Sequence, residues 1–190
     1  MKKFESIRGI SLHITELEAL LNNIDFTDFF VEATFQFTLL MELTSLYDKK
    51  SILPERSIKH YKLKNLVKKR IDIVVEDVDY VAIELKMPMN GQVPEQMFKF
   101  IEDIKFLEQL KSSSKFTHCF FITVTNDQNF WIGRENDGIY SFFRGNKKIN
   151  GKIYKPTGEN KNNKFYEIKN EYNVDWKALK NNFSYFIIKI

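Results

Sequence analysis

The sequence predicts a mixed α/β protein in which a central mixed sheet is flanked by helices. Three segments carry this prediction. Residues 80–87 alternate between apolar and polar side chains, as is typical of a strand with one face in a core. Residues 94–111 repeat apolar side chains at helical spacing. Residues 118–125 form an almost wholly apolar run, which predicts a strand covered on both faces.

The length and composition favour one globular domain. The chain has 190 residues, of which 43% are hydrophobic and 28% charged, and these values are ordinary for a folded domain. Such a composition excludes a disordered chain, and 7 Gly and 4 Pro exclude a collagen-like one. We expect a core over about residues 28–144, with residues 145–190 as a C-terminal extension of the same domain.

The first half of the chain predicts helices, then a hairpin. An apolar stripe at helical spacing favours a helix over 11–22, and a second, longer helix over 28–47. Loose alternation over 57–66 indicates a strand. Two runs rich in β-branched residues, 70–76 and 80–87, are joined by a short acidic connection and therefore predict a hairpin.

The second half begins with the helix predicted over 94–111, which starts at Pro94, where a helix tolerates proline. The strand at 118–125 follows it. Further strands are predicted at 130–133, 139–144, 165–168 and 185–190. The Lys- and Asn-rich stretch 145–163 is predicted to be loop, and 175–179 a short helix.

The chain has one cysteine, Cys119, which excludes an intramolecular disulfide and a cysteine-based zinc site. Because it stands in an apolar run, we expect a buried thiol and a reducing compartment. No apolar segment follows the charged N-terminal residues, and none reaches the ~20 residues that a membrane helix needs. The sequence therefore predicts a cytoplasmic protein without a membrane partner.

Positive charge is concentrated in two stretches. The net charge is only +4, yet residues 56–70 contain seven basic side chains and no acidic one, and residues 144–169 contain eight against two acidic ones. Such stretches predict contact with a polyanion, although a solvated protein face has the same composition. The candidate nucleic-acid contacts are Lys62, Lys64, Lys68, Lys69, Arg70, Lys147, Lys148 and Lys152.

The predicted hairpin brings three charged side chains together. A hairpin that turns about Val78 places Asp72 opposite Glu84, and Lys86 follows on the same face of the second strand. Directly opposed side chains have Cβ atoms roughly 4.5–5.5 Å apart, so the two carboxylates repel unless a cation lies between them. A divalent cation with oxygen ligands is the natural candidate. A register shifted by one residue would place Asp72 on the opposite face and remove the site.

Asp72, eleven intervening residues and then Glu84-Leu85-Lys86 resemble the signature of the PD-(D/E)XK nucleases. The predicted order of helices, hairpin, amphipathic helix and buried strand is similar to the α-β-β-β-α-β restriction-endonuclease-like core of that family. The resemblance covers about residues 28–125, and Ile71 stands where the family has proline. Asp103-Ile104 and Leu107-Glu108 also resemble a set of uncharacterised nuclease-like proteins, which implies no particular substrate.

The resemblance implies a nuclease that hydrolyses phosphodiester bonds, with DNA favoured over RNA and a homodimer left open. It implies Mg²⁺, or Mn²⁺ in its place, held by Asp72, Glu84 and the backbone carbonyl of Leu85. It also implies that Lys86 positions or deprotonates the attacking water. The family often adds an acid from the first core helix, where Glu32 is the preferred candidate and Glu42 the alternative.

Two other functions fit the same residues. A non-catalytic nucleic-acid-binding module could keep the nuclease fold and its basic stretches, and it would bind without metal and cleave nothing. A regulatory protein could use the Phe-rich composition, with 18 Phe, for contacts with a protein partner. Cleavage in the presence of Mg²⁺, with a Lys86→Ala variant alongside, separates these functions from a nuclease.

Overall fold

The computed structural model describes residues 11–27, 31–89 and 91–190. Helices lie at Ile14–Asn23 (α1), Glu32–Leu43 (α2), Val93–Ser112 (α3) and Tyr140–Phe143 (α4). Strands lie at Ile52–Ser57 (β1), Arg70–Glu76 (β2), Tyr80–Lys86 (β3), His118–Thr125 (β4), Ile149–Tyr154 (β5), Phe165–Tyr172 (β6), Lys177–Ala178 (β7) and Ser184–Lys189 (β8). The start predicted for the second helix, Asp28, lies outside the described residues.

Six strands form the central sheet, in the order β1-β2-β3-β4-β8-β7. The pairing of β3 with β4 is parallel, and every other pairing in this sheet is antiparallel. Since parallel neighbours need a crossover connection, α3 runs between these two strands. The predicted mixed α and β architecture with a central mixed sheet is therefore confirmed.

Both faces of the sheet are covered. Val81, Ile83 and Leu85 of β3 pack into a buried cluster with residues of α1 and α2. Ala82, on the opposite face of the same strand, belongs to the cluster built around α3 and its fully buried Phe100. Glu84 has the same parity as Ala82 and therefore lies on the α3 face of the sheet.

The register predicted for the hairpin is confirmed. Glu76 pairs with Tyr80, and Ile73 pairs with Ile83. The same register places Asp72 opposite Glu84, as the sequence predicts.

The strand predicted over 57–66 is wrong. The strand in this region is β1, and it is followed by a 3-10 turn at Ile58–Tyr61 and by residues 62–69, which are neither helix nor strand. Pro54 in β1 lacks an N–H group, which suits a strand at the edge of the sheet. Glu55 has a φ of 52° and is left out of the pairing with β2.

Four further predictions in the second half are wrong. The region 130–133 follows a 3-10 turn rather than forming a strand, 139–144 contains the short helix α4, and 175–179 contains β7. The stretch 145–163, predicted to be loop, contains β5. The strands predicted at 165–168 and 185–190 correspond to β6 and β8.

Strands β5 and β6 form a separate two-stranded sheet, here called the small sheet. It packs against α3. The carboxylate of Glu108 on α3 accepts hydrogen bonds from the backbone N–H groups of Lys169 (3.0 Å) and Asn170 (2.9 Å) on β6. The Tyr166 hydroxyl donates to Glu102, also on α3. None of the described helices has the length and apolar character needed to cross a membrane.

Candidate functional site: a carboxylate–lysine cluster

Three carboxylates and two lysines meet on the α3 face of the central sheet, and a fourth carboxylate, Glu32 of α2, joins them at the end of β3. We call this group the carboxylate–lysine cluster, and its members are Glu32, Lys68, Asp72, Glu84, Lys86 and Asp103. They come from α2, the segment before β2, the β2-β3 hairpin and α3. Residues distant in sequence therefore build one charged site inside the fold.

The centre of the cluster is the pair Asp72 and Glu84. Glu84 is 0% exposed. The backbone N–H of Asp72 donates to Glu84 Oε1 at 3.3 Å, and the backbone N–H of Leu85 donates to Asp72 Oδ2 at 2.8 Å. The Asp72 carbonyl accepts a hydrogen bond from Gln36 Nε2 at 2.8 Å. These bonds fix the backbone and both carboxylates of the pair relative to each other.

Lys86 lies beside this pair and is held on three sides. Its Nζ is 2.8 Å from the Leu85 carbonyl oxygen, 3.3 Å from Glu32 Oε1 and 3.3 Å from Asp103 Oδ2. Glu32 also accepts the backbone N–H of Met87 at 3.1 Å. The structure thus brings Glu32, the preferred acid of the two predicted on this helix, to the end of β3.

Two members of the cluster had no predicted role in the site. Asp103 is only 2% exposed, although aspartate is rarely buried without a partner. It lies within the apolar stripe of α3, and a carboxylate at such a position is a signal that sequence reading could have used. Lys68, expected at a surface that contacts phosphates, instead places its Nζ 2.7 Å from Asp103 Oδ1 and in direct contact with Glu84. Nothing in the spacing of the basic stretch distinguishes Lys68 from its neighbours.

The electrostatics of the cluster follow from burial and from its excess of acids. Burial raises the pKa of Glu84 well above its usual value, and Asp72 and Asp103 raise it further. Burial also raises the pKa of Asp72, although Lys68 and Lys86 oppose that shift. With every group ionised, the four carboxylates exceed the two lysines by two negative charges.

Both lysines remain cationic in this environment. Burial alone would lower the pKa of Lys68, but the carboxylates of Glu84 and Asp103 outweigh it and raise that pKa. Lys86 behaves in the same way: burial opposes its charge, while Asp103 and Glu32 raise its pKa. The cluster therefore contains two positive charges among its acids.

The donor chemistry of the cluster fits Mg²⁺ or Mn²⁺. Asp72, Glu84 and the Leu85 carbonyl offer oxygen ligands only, which these hard cations prefer. Asp103 Oδ2 is buried and makes no hydrogen bond, although it is near Lys86. In the described part of the chain, however, no group of three or more His, Cys, Asp or Glu side chains is arranged to hold a metal ion. The ligand oxygens are engaged by lysines and backbone N–H groups instead.

The first basic stretch lies beside a large cavity. Lys62, Lys64 and Lys69 line an open cavity of about 910 Å³, together with Lys59. Arg70 is exposed, and its guanidinium lies 3.9 Å from Glu55. The cavity therefore presents positive charge at the chain segment that leads into β2.

The contacts described for Lys147, Lys148 and Lys152 of the second basic stretch do not involve the carboxylate–lysine cluster. Lys147 lies over the ring of Phe142 in α4, at 4.6 Å from the ring centre. Lys148 forms an ion pair with Glu171 at 2.8 Å, and Lys152 lies 5.1 Å from the centre of the Phe165 ring. These lysines belong to the surface of the small sheet and α4.

A second polar group combines residues of the kind found in hydrolase triads. Ser11 Oγ lies 3.0 Å from His118 Nε2, but Asp79 Oδ2 lies 3.9 Å from the same nitrogen. In a triad the acid orients the histidine through its other nitrogen, and His118 Nδ1 is buried without a hydrogen-bond partner. This group therefore lacks the geometry of a triad.

Comparison with known proteins finds no relative of this chain. No protein-family model, no curated protein and no solved structure matches the chain. The function must therefore be argued from the site.

Proposed function

We propose that this chain is a metal-dependent nuclease with a restriction-endonuclease-like core, which hydrolyses phosphodiester bonds, with DNA as the favoured substrate. The observation that carries the proposal is the geometry of Asp72, Glu84 and Lys86. Two carboxylates lie opposite each other on neighbouring strands, and a half-buried lysine follows on the same face. Two opposed acids with a lysine beside them are a costly arrangement for a purely structural site.

The residues of the cluster have separable roles in this proposal. Asp72, Glu84 and the Leu85 carbonyl would hold the cation, which when bound polarises the phosphate and lowers the pKa of its water. Lys86 presents an ammonium group at a fixed position, where it can orient the attacking water and stabilise developing negative charge. Glu32 holds Lys86 in that position through its carboxylate.

The basic surfaces would bind the sugar–phosphate backbone. Lys62, Lys64 and Lys69 line one open cavity without an acidic residue among its lining, so their charge is available to phosphates. Such contacts give affinity that falls with salt concentration and does not depend on base sequence.

A non-catalytic nucleic-acid-binding module is the second candidate. It is favoured by the pairing of the cluster's carboxylates with Lys68 and Lys86, which neutralises part of their charge without any metal. Such a module would bind nucleic acid equally well in EDTA and in Mg²⁺, and its carboxylates would serve only the stability of the fold.

Single-turnover cleavage of duplex and single-stranded DNA in Mg²⁺ or EDTA tests the proposal. We expect Mg²⁺-dependent cleavage that Lys86→Ala reduces by at least ~10²-fold, the lower range for losing a positioned proton-transfer group. DNA affinity should change little, because many phosphate contacts contribute to it. Lys115→Ala removes an exposed lysine outside both basic stretches and is the matched control. Equal cleavage by the Lys86→Ala and Lys115→Ala variants would refute the nuclease assignment of this site.

A further inference from the structure

The ammonium group of Lys68 occupies the position where the buried acids most need a cation. It contacts Glu84, which is 0% exposed, and lies 2.7 Å from Oδ1 of Asp103, which is 2% exposed. An ionised buried carboxylate without a partner is strongly destabilising, so a positive charge at this position stabilises the fold. Lys68 supplies that charge in the protein without metal.

Lys68 and Lys86 differ in how firmly they are held. Lys86 belongs to β3, and its Nζ also bonds to the neighbouring Leu85 carbonyl. Lys68 lies in residues 62–69, which are neither helix nor strand. This segment, here called the Lys68 segment, is tied to α3 by a hydrogen bond from the Val67 N–H to Gln109 Oε1 at 2.9 Å. Lys68 can therefore move without breaking the ladder of the central sheet.

A divalent cation and the Lys68 ammonium compete for Glu84, because Lys68 occupies Oε2 and the backbone N–H of Asp72 donates to Oε1. Mg²⁺ binds carboxylate oxygens at about 2.1 Å, in the space that the ammonium group fills at hydrogen-bond distance. Two cations at that separation repel each other strongly in a buried site. Binding of the metal at Oε2 of Glu84 thus favours withdrawal of the lysine.

We propose that Lys68 is a displaceable cation that competes with the divalent metal for Glu84. This inference rests on the proposed function, since it presumes that Asp72 and Glu84 hold a metal. In the metal-free protein, Lys68 neutralises Glu84 and Asp103 and keeps the fold stable. When the metal binds, its charge replaces that of Lys68, and the lysine moves away with its segment. The intact protein therefore binds divalent cations more weakly than its carboxylates alone would allow.

Titration of Mn²⁺ and Mg²⁺ into the full-length chain by isothermal calorimetry tests the competition. The variants are Lys68→Met, which removes the charge and keeps the bulk, Lys68→Arg, which keeps the charge, and Lys115→Met as a surface control. We expect Lys68→Met to bind the metal at least about tenfold more tightly than the parent, because the competing cation is gone. Lys115→Met should match the parent, and Lys68→Arg should not exceed it.

Thermal unfolding provides the second measurement. Lys68→Met is expected to unfold at a lower temperature than the parent in EDTA, and saturating Mn²⁺ should raise its Tm more than it raises that of the parent. If Lys68→Met does not fold in EDTA, recovery of a cooperative transition on adding Mn²⁺ supports the proposal, and failure to recover overturns it.

The outcomes separate this inference from the nuclease assignment. If the parent and Lys68→Met bind Mn²⁺ with the same affinity, and Asp72→Asn abolishes binding in both backgrounds, the competition is overturned and the metal site stands. If neither protein binds Mn²⁺ or Mg²⁺ at millimolar concentration, both the competition and the metal-dependent function are overturned.

Discussion

Replacement of Asp72 by asparagine is expected to stabilise the metal-free protein while it abolishes cleavage. Asparagine has nearly the same size, and its amide oxygen can still accept the hydrogen bond from the Leu85 N–H. The charges of Asp72 and Glu84, taken to be about 5 Å apart from the Cβ spacing of directly opposed side chains, repel by about 3 kcal/mol at an effective dielectric constant of 20. Lost attraction to Lys68 and Lys86 offsets most of this gain, but the pKa of Asp72 remains raised by its burial, so the charged form is unfavourable overall.

The expected net gain is about 1 kcal/mol in the free energy of unfolding, or a rise in Tm of roughly 2–4 °C. The gain depends on pH. Because the pKa of Asp72 is higher in the folded protein than in the unfolded chain, the parent loses stability as pH rises from the unfolded value through the folded one. Asp72→Asn lacks this loss, so its advantage is absent below the unfolded-state pKa of Asp72 and grows as pH rises above it.

Urea denaturation in EDTA at pH 4 and pH 8 measures the effect, with Asp175→Asn as a control in which the same change is made at an exposed aspartate. A loss of stability in Asp72→Asn at pH 8 would show that attraction to the lysines exceeds the repulsion and the burial cost. Retention of Mg²⁺-dependent cleavage would show that Asp72 does not bind the metal.

Three further predictions concern other parts of the molecule. Replacing Lys62, Lys64 and Lys69 together by methionine should weaken DNA binding and reduce the slope of log affinity against log salt by up to about 3. Filter binding across a salt series measures this slope, and an unchanged slope would show that these lysines do not contact phosphates. Glu32→Gln should lower the single-turnover cleavage rate by about tenfold at unchanged DNA affinity, because losing its charge-assisted contact with Lys86 costs about 1.5 kcal/mol. An unaltered rate would contradict the role of Glu32 in positioning Lys86. The Cys119 thiol is buried and its pKa is raised to about 12 by burial, so a thiol reagent should modify it at pH 8 only as fast as the protein unfolds; a fast reaction in the folded protein would contradict the burial.

The parts of the fold that sequence reading predicts well are those in which periodicity and burial agree. The alternation in β3 and the apolar run of β4 each reflect a strand whose faces are covered by helices, so pattern and structure coincide. β1 was misplaced because Pro54 interrupts its pattern, and an edge strand has only one neighbour to impose alternation. β5 was missed because Gly151, with a φ of 71°, and several polar residues resemble a loop.

The same distinction applies to the site. Asp72, Glu84 and Lys86 could be found because two of them share one strand and the third is fixed by a hairpin register, which is a local property of the chain. Asp103 has a signal in the sequence, its place in the apolar stripe of α3, but its contact with Lys68 arises only through packing of α3 and of the Lys68 segment onto the sheet. Contacts between residues 35 positions apart leave no spacing that a single sequence reveals.

The place of the small sheet in the chain has a consequence for how such a protein diversifies. Residues 126–176 leave the central sheet after β4 and return at β7 and β8, and β8 is the direct neighbour of β4. The entropy needed to close a connecting segment grows only with the logarithm of its length, so insertions in the exposed loops of this segment cost little. Phe130, Phe143 and Ile149 of the same segment are buried in the core around α3 and must be kept. The segment also lies outside the β2-β3 hairpin that carries Asp72 and Glu84. Length changes in those loops can therefore arise without altering the carboxylate–lysine cluster.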